Sequence, residues 1–201
     1  MEPYSQGLEL KKRVMGTGYA VVHLGDCADT DIRIPPYAPD GEPIVTIKAC
    51  AFSRKDHITS VTIPEGVCTV ESFAFMDCAA LTSVSLPDSL EIVQNSAFCQ
   101  CASLRSIRLP ARMRSLGKQA FYGCSSLTEV IISKGVEAFG DEVFKNCGNL
   151  ERITIPSTLH IMGSGVFSGC PKLSIRCNLY QRPHEWEADW NPDGLPVRWK
   201  H

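Results

Sequence analysis

Apolar residues recur along the chain with a period of 23 residues, and no insertion or deletion interrupts the register from residue 58 to residue 173. Each copy opens on leucine or isoleucine, continues to a phenylalanine and closes with a cysteine. These residues are Ile58, Leu81, Leu104, Leu127, Leu150 and Leu173; Phe75, Phe98, Phe121, Phe144 and Phe167; Cys78, Cys101, Cys124, Cys147 and Cys170. A strict period of this length predicts a solenoid, in which each unit buries its apolar side against its neighbours.

Each copy is predicted to contain two short strands and a turn. Apolar positions such as Leu104, Ile107 and Leu109, with polar residues between them, are typical of a strand with one buried face. A proline then ends most of these strands, because it cannot donate to the ladder. A second extended segment follows. The small residue and phenylalanine after it predict a one-turn helical or tight-turn element, whose stacked rings would form the spine of the core.

The segment before the regular repeats is expected to cap the open end of the core. Ile44, Ile47 and Phe52 form one degenerate copy ahead of the five regular ones. Residues 8–34 are predicted to form a hairpin, with its turn at residues 15–18. Solenoids need such atypical ends, because an uncapped apolar cross-section would aggregate.

A second cap is expected at the other end. One truncated strand follows the last regular repeat, and residues 180–199 then leave the period and carry all three tryptophans. Large apolar side chains suit a cap, although an aromatic platform for a sugar or peptide is an alternative. The sequence therefore predicts one structural domain with an N-terminal cap at 1–43, repeats at 44–177 and a C-terminal cap at 178–201.

Composition narrows the range of partners and locations. The chain is 44% hydrophobic with a formal net charge of −2, which suits one soluble unit and gives no general attraction for nucleic acid. Residues 1–12 are polar and charged and lack the apolar segment of a secretory signal, so a cytoplasmic location is expected from the sequence as written. No apolar run approaches about 18 residues, so no membrane insertion is expected.

Ten cysteines suggest a disulfide framework, but five of them lie on the repeat period. Stacked side chains point in parallel, which fits disulfide geometry poorly, so we interpret these five as reduced, buried apolar residues. A redox-sensitive subset is an alternative, with Cys99 and Cys101 as the first candidates and Cys68 as a half-exposed thiol. Metal binding has less support, because Cys99 and Cys101 lack a partner pair and the histidines are scattered.

Residues between the buried positions of the first strand are predicted to form rows across the repeats. The rows are Thr62, Ser85, Arg108, Ile131 and Thr154; Ser60, Ser83, Ser106, Glu129 and Arg152; and Thr59, Thr82, Arg105, Thr128 and Glu151. Solenoids use such extended surfaces for binding. Alternatively, serine and threonine simply suit exposed strands.

Charge is unevenly distributed between the repeats. The copy that opens at Leu104 has five basic residues and no acidic one, and arginine suits carboxylate, phosphate or sulfate groups. The candidate binding residues are Arg105, Arg108, Arg112, Arg114, Glu129, Ile131 and Arg152. Ion pairing with acidic side chains of neighbouring repeats is the alternative, with Asp88, Glu91, Glu129 and Glu137 as partners.

No catalytic triad, carboxylate pair, phosphate-binding glycine loop or metal-ligand cluster stands out in the sequence. We therefore expect a non-enzymatic interaction module without a cofactor or metal. The alternatives are a cell-surface adhesin or structural component and a cysteine-based redox sensor.

The repeat resembles the BspA-like class of bacterial leucine-rich repeats. The segment Leu81-Thr-Ser-Val-Ser-Leu-Pro-Asp-Ser-Leu-Glu-Ile-Val, continued through Ala97-Phe98 to Cys101, carries the likeness. The ends are also similar, at Gly18-Tyr19, Asp31 to Pro35, Trp186, Trp190-Asn191-Pro192 and Pro196 to Trp199. The resemblance implies a right-handed solenoid without enzymatic activity, often on bacterial surfaces and associated with adhesion. It also implies binding of host proteins. We therefore expect the partner to be a protein, including a host extracellular protein, or a glycan.

Overall fold

The computed structural model describes residues 4–201 and is a β-solenoid, as the period predicts. One side is an eight-stranded sheet in the order β1-β2-β4-β6-β8-β10-β12-β14. Its strands are β1 Glu9–Lys12, β2 Tyr19–His23, β4 Ile44–Ile47, β6 Thr69–Val70, β8 Ile92–Val93, β10 Ser115–Leu116, β12 Ala138–Phe139 and β14 Ile161–Met162. All neighbours pair in parallel except β1 and β2.

The first strands of the repeats form the second side, in two sheets that follow one another along the solenoid. The three-stranded sheet consists of β3 Asp31–Arg33, β5 Ser60–Thr62 and β7 Ser83–Ser85. The five-stranded sheet consists of β9 Ser106–Leu109, β11 Glu129–Ile132, β13 Arg152–Ile155, β15 Ser174–Cys177 and β16 Val197–Arg198. Strands β7 and β9 are in contact, so the outward surface is continuous between the two sheets.

Turns form the third side, where the sequence leaves open a one-turn helix or a tight turn. No helix occurs within residues 4–201, because the backbone there bonds to the next coil. Phe73 and Asp77 have φ angles of 61° and 57°, a left-handed conformation that an α-helix cannot contain. The N–H of Phe75 donates to the carbonyl of Ala97 in the next coil at 2.8 Å. The tight turn is therefore the correct alternative.

Six phenylalanine rings form the stack predicted from the sequence. Neighbouring rings lie nearly parallel, with interplanar angles of 1° to 9°. Centroid distances are 4.9 Å for Phe52 and Phe75, 5.0 Å for Phe75 and Phe98, 5.3 Å for Phe98 and Phe121, 5.6 Å for Phe121 and Phe144, and 6.0 Å for Phe144 and Phe167. All six rings are fully buried, so the stack is the centre of one core that runs through the repeats.

The two ends of the solenoid are covered differently. Strands β1 and β2 form an antiparallel hairpin beside β4, at the position where the sequence predicts one; residues 1–3 of the predicted cap lie outside the described chain. At the other end, Trp186 and Trp190 are only 2% and 5% exposed. The ring of Trp190 meets Phe167 edge-on at 6.1 Å, so it ends the phenylalanine stack.

The ring of Phe121 has a stacked neighbour on each side, and its removal should be especially costly. We expect Phe121→Ala to lower the free energy of unfolding by about 3–5 kcal/mol, because it leaves a cavity between two coils. Urea unfolding followed by circular dichroism measures this. Ile131→Ala, at a position 49% exposed, is the control and should change the stability little. Equal losses in both variants would contradict the central role of the stack.

Candidate functional site

The outward face of the five-stranded sheet brings together most of the candidate residues. Glu129 on β11 is paired with Ser106 on β9 and with Arg152 on β13, and Ile131 is paired with Arg108. These pairs reproduce the rows expected from the 23-residue period. Arg105 lies in the row that also contains Thr82 and Thr128, because its backbone N–H donates to the carbonyl of Thr82. We call this outward surface of β9, β11, β13 and β15 the arginine face.

A shallow depression lies on the arginine face between β11 and β13. It is lined by Thr128, Glu129, Ile131, Glu151, Arg152 and Thr154, together with Val130, Ile132 and Ile153. Ile131 is half-exposed between charged and hydroxyl side chains. This arrangement offers a small apolar contact surrounded by polar groups, which suits a protein interface better than an enclosed small-molecule site.

Arg112 and Arg114 do not belong to the arginine face, so the expected single group of arginines is divided. Pro110 ends β9, and the chain then turns toward the eight-stranded sheet, where Arg114 immediately precedes β10. The guanidinium Nη1 of Arg114 lies 2.5 Å from the carboxylate Oε1 of Glu137 in the next coil. Arg112 is exposed beside a second depression that includes Arg114 and Glu137.

Ion pairing between repeats explains Arg114 but not the arginines of the arginine face. Among residues 4–201, no carboxylate lies within 4.0 Å of the charged atoms of Arg105, Arg108 or Arg152. Pairs do occur elsewhere, as between Lys48 and Glu71 at 2.7 Å. The arginine face therefore presents its guanidinium groups to solvent.

Two arginines that the sequence analysis missed extend this surface. Thr154 on β13 is paired with Arg176 on β15, and Arg176 is paired with Arg198 on β16. The step from Thr154 to Arg176 is 22 residues, so extending the row by the regular period leads to Cys177, which is buried. The alternation of exposed and buried residues from 174 to 177 could have revealed Arg176.

The five cysteines of the repeat are part of the core. Each thiol donates to the carbonyl of a phenylalanine in the preceding coil, as Cys78 does to Phe52 at 3.0 Å. Equivalent bonds join Cys101 to Phe75, Cys124 to Phe98, Cys147 to Phe121 and Cys170 to Phe144, at 3.1 to 3.3 Å. All five residues are fully buried and all ten cysteines are unpaired, in agreement with the packing interpretation.

Burial also suppresses the chemistry that a redox sensor needs. It raises the pKa of Cys78 to about 11, and it raises the pKa of Cys101 well above the usual value. The pKa of the half-buried Cys99 is raised first by burial and then by the charge of Asp77. A thiol is reactive as the thiolate, so the two cysteines first suspected are poor candidates. Cys68 is half-buried, as expected.

The described chain offers no sign of a metal centre or a membrane helix. Within residues 4–201, no group of three or more histidine, cysteine, aspartate or glutamate side chains is placed to hold a metal ion. In the same range, no helix is long and apolar enough to cross a membrane.

Comparison with known proteins decides the family. Residues 45–174 match the BspA type leucine-rich repeat region in six copies. The chain belongs to the BspA-type leucine-rich repeat family. Repeat modules of this family and fold support protein interactions and are typically non-enzymatic. No curated protein sequence matches the chain.

Several solved structures of bacterial leucine-rich repeat proteins have the same fold. The BspA-type chain is similar to the T. pallidum leucine-rich repeat protein, with TM-score 0.80, 21% identity and 98% of each chain covered. It is also similar to the pneumococcal vaccine antigen PcpA, with TM-score 0.69, 22% identity and coverage of 92% of this chain and 50% of PcpA. A leucine-rich cell surface protein from Faecalibacterium prausnitzii A2-165 gives TM-score 0.62, 20% identity and coverage of 88% and 54%. At these identities the likeness establishes the fold.

The buried thiols make stability depend on pH in the alkaline range. Burial raises the pKa of Cys124 in the folded chain, so the unfolded thiol ionises near pH 9 while the folded one keeps its proton. The free energy of unfolding should therefore fall as the pH rises above about 9. We expect Cys124→Ala to reduce this slope by about 1.4 kcal/mol per pH unit.

Urea unfolding between pH 8 and pH 11 measures the slope for the wild type and the variant. The difference between them isolates the thiol, because tyrosine and lysine titrate equally in both. Cys147→Ala should give a similar reduction, since burial also raises the pKa of Cys147. Slopes that do not change in either variant would show that these thiols ionise in the folded chain.

Proposed function

We propose that this chain is a non-enzymatic binding module that holds a partner protein on the arginine face. The unpaired charge of Arg105 and Arg108 is the observation that carries the proposal. Several basic residues elsewhere on the solenoid have carboxylate partners at 2.5 to 3.8 Å, including Lys118 with Asp141 and Arg114 with Glu137. A binding partner would supply the acidic groups that the chain itself does not place beside these arginines.

The dimensions and residue types of the arginine face suit a protein. Its four strands, with β16 beside them, extend across about 19 Å at the usual strand separation. The face combines arginines with the half-exposed Ile131, and arginine is enriched among residues that dominate binding energy. Glu129 and Glu151 add acidic groups between the arginines, so the pattern of charge can select one partner orientation.

A cell-surface location is the finer form of this proposal. PcpA and the Faecalibacterium protein share the fold, and their names describe a vaccine antigen and a cell surface protein. By this analogy the chain acts as an adhesive component outside the cell, with a host extracellular protein as its partner. A glycan partner and an intracellular scaffold are the competing possibilities that the experiment separates.

Charge reversal tests the arginine face. We expect Arg105→Glu with Arg108→Glu to weaken binding of the partner by about tenfold or more, because two favourable charge contacts become repulsive. The partner is first captured from host extracellular proteins and, in parallel, from the producing cell's lysate. It is then purified, and its affinity is measured by surface plasmon resonance.

Arg112→Glu is the control, because Arg112 is also exposed but lies outside the arginine face. Thermal unfolding of all variants should stay close to that of the wild type. Loss of binding in Arg112→Glu alone would move the site to the other depression. Retention of binding by the double variant would contradict the proposal, and capture from only one of the two sources would decide the location.

A further inference from the structure

Arg176 and Arg198 occupy facing positions on the last two strands of the five-stranded sheet. The two residues are partners in the parallel pairing of β15 and β16, and both are exposed. Neighbouring strands lie about 4.8 Å apart, so the two side chains leave the sheet side by side. Like charges in facing positions destabilise a sheet. The arrangement therefore has a cost that an anionic ligand would remove.

The chain itself does not neutralise this pair. No carboxylate in residues 4–201 lies within 4.0 Å of the charged atoms of Arg176 or Arg198. Protection of a sheet edge against aggregation explains a charge on β16, because β16 is the edge strand. It does not explain Arg176, which lies on the strand inside the edge. Anion recognition accounts for both residues.

Strand β16 also has an open side. It is the last strand in its sheet and pairs only with β15 within the described residues. A shallow cleft lined by Arg176, Val197, Arg198, Trp199 and His201 lies next to it. An exposed edge strand can accept an extended peptide as an additional strand, in which main-chain hydrogen bonds supply affinity and alternate side chains supply specificity.

We propose that β16 accepts an extended acidic segment of a partner protein, which adds to the sheet as a further strand. One outward side chain of that segment would lie opposite Arg198 at about 4.8 Å, and the next outward side chains would flank it on the same face. Carboxylates at these positions form charge-assisted hydrogen bonds with the planar guanidinium groups. This inference rests on the proposed function, because it assumes a protein partner, but it concerns Arg176 and Arg198 at the end of the sheet and not Arg105 and Arg108.

A synthetic peptide tests the inference without knowledge of the natural partner. The probe is a fluorescein-labelled ten-residue peptide of alternating glutamate and threonine, and its binding to the full chain is followed by fluorescence anisotropy. We expect the peptide to bind, and its affinity to fall as salt is added. The double variant Arg176→Glu with Arg198→Glu should lower the affinity tenfold or more. Arg176→Gln with Arg198→Gln should reduce it less and serves as a second variant if the first does not fold.

Matched peptides separate strand addition from simple charge attraction. A peptide of alternating lysine and threonine should not bind. Two further acidic peptides carry N-methyl groups on alternate backbone nitrogens, one at the odd positions and the other at the even positions. Each keeps every charge but cannot donate hydrogen bonds along one of its two edges. We expect the peptide that is blocked on the edge facing β16 to lose binding. Equal binding by both N-methylated registers and the unmodified peptide would overturn strand addition.

Further outcomes distinguish this inference from the proposed function. Arg105→Glu with Arg108→Glu should leave binding of the acidic peptide nearly unchanged, because these residues lie four strands away from β16. Absence of peptide binding, a preference for a sulfated oligosaccharide, or self-association of the chain through β16 in light scattering would each overturn the inference. If Arg105→Glu with Arg108→Glu abolishes partner binding while the Arg176 and Arg198 variants do not affect peptide binding, the proposed function stands and this inference is wrong.

Discussion

Hydrogen bonds between successive coils are the interaction on which the rest of this structure depends. Strands supply them on two sides, and on the third side the left-handed residues of the turns direct their N–H groups toward the next coil, as Ser96 does to the carbonyl of Lys118 at 2.8 Å. A buried backbone group without a partner costs about 1–3 kcal/mol. A single coil cannot satisfy these groups alone, so every coil must keep the same length and shape as its neighbours.

The same spacing fixes the chemistry of the interior. Coils that repeat at the separation of parallel strands bring phenylalanine rings into stacked contact, and they place the thiol of each of the five repeat cysteines against a phenylalanine carbonyl. The thiol is thus both a small buried apolar group and a weak hydrogen-bond donor. Burial holds these thiols protonated, so the abundance of cysteine reflects packing more than redox chemistry.

The core could be predicted from the sequence because five copies repeat the same buried positions. The same period also predicted which exposed residues pair on neighbouring strands, as in the rows that contain Arg108 and Glu129. Features set by contacts between coils were less visible. The turns cannot be distinguished from one-turn helices by local pattern, since the deciding bond of Phe75 is to another coil. Arg112 and Arg114 were grouped with Arg105 by nearness in sequence, although the turn after Pro110 separates them. Arg198 lies beyond the periodic region altogether.

The shortened step between β13 and β15 indicates where this architecture can accept a change in length. The step from Ile153 to its partner Ile175 is one residue shorter than the regular period. It lies at the end of the stack, and β15 still alternates exposed and buried residues so that Ile175 faces the core. In an interior coil, the same deletion within a strand would exchange inward and outward side chains. Surface substitutions, and the gain or loss of complete 23-residue units, therefore keep the register of the core, whereas a single-residue change in length within an interior strand does not.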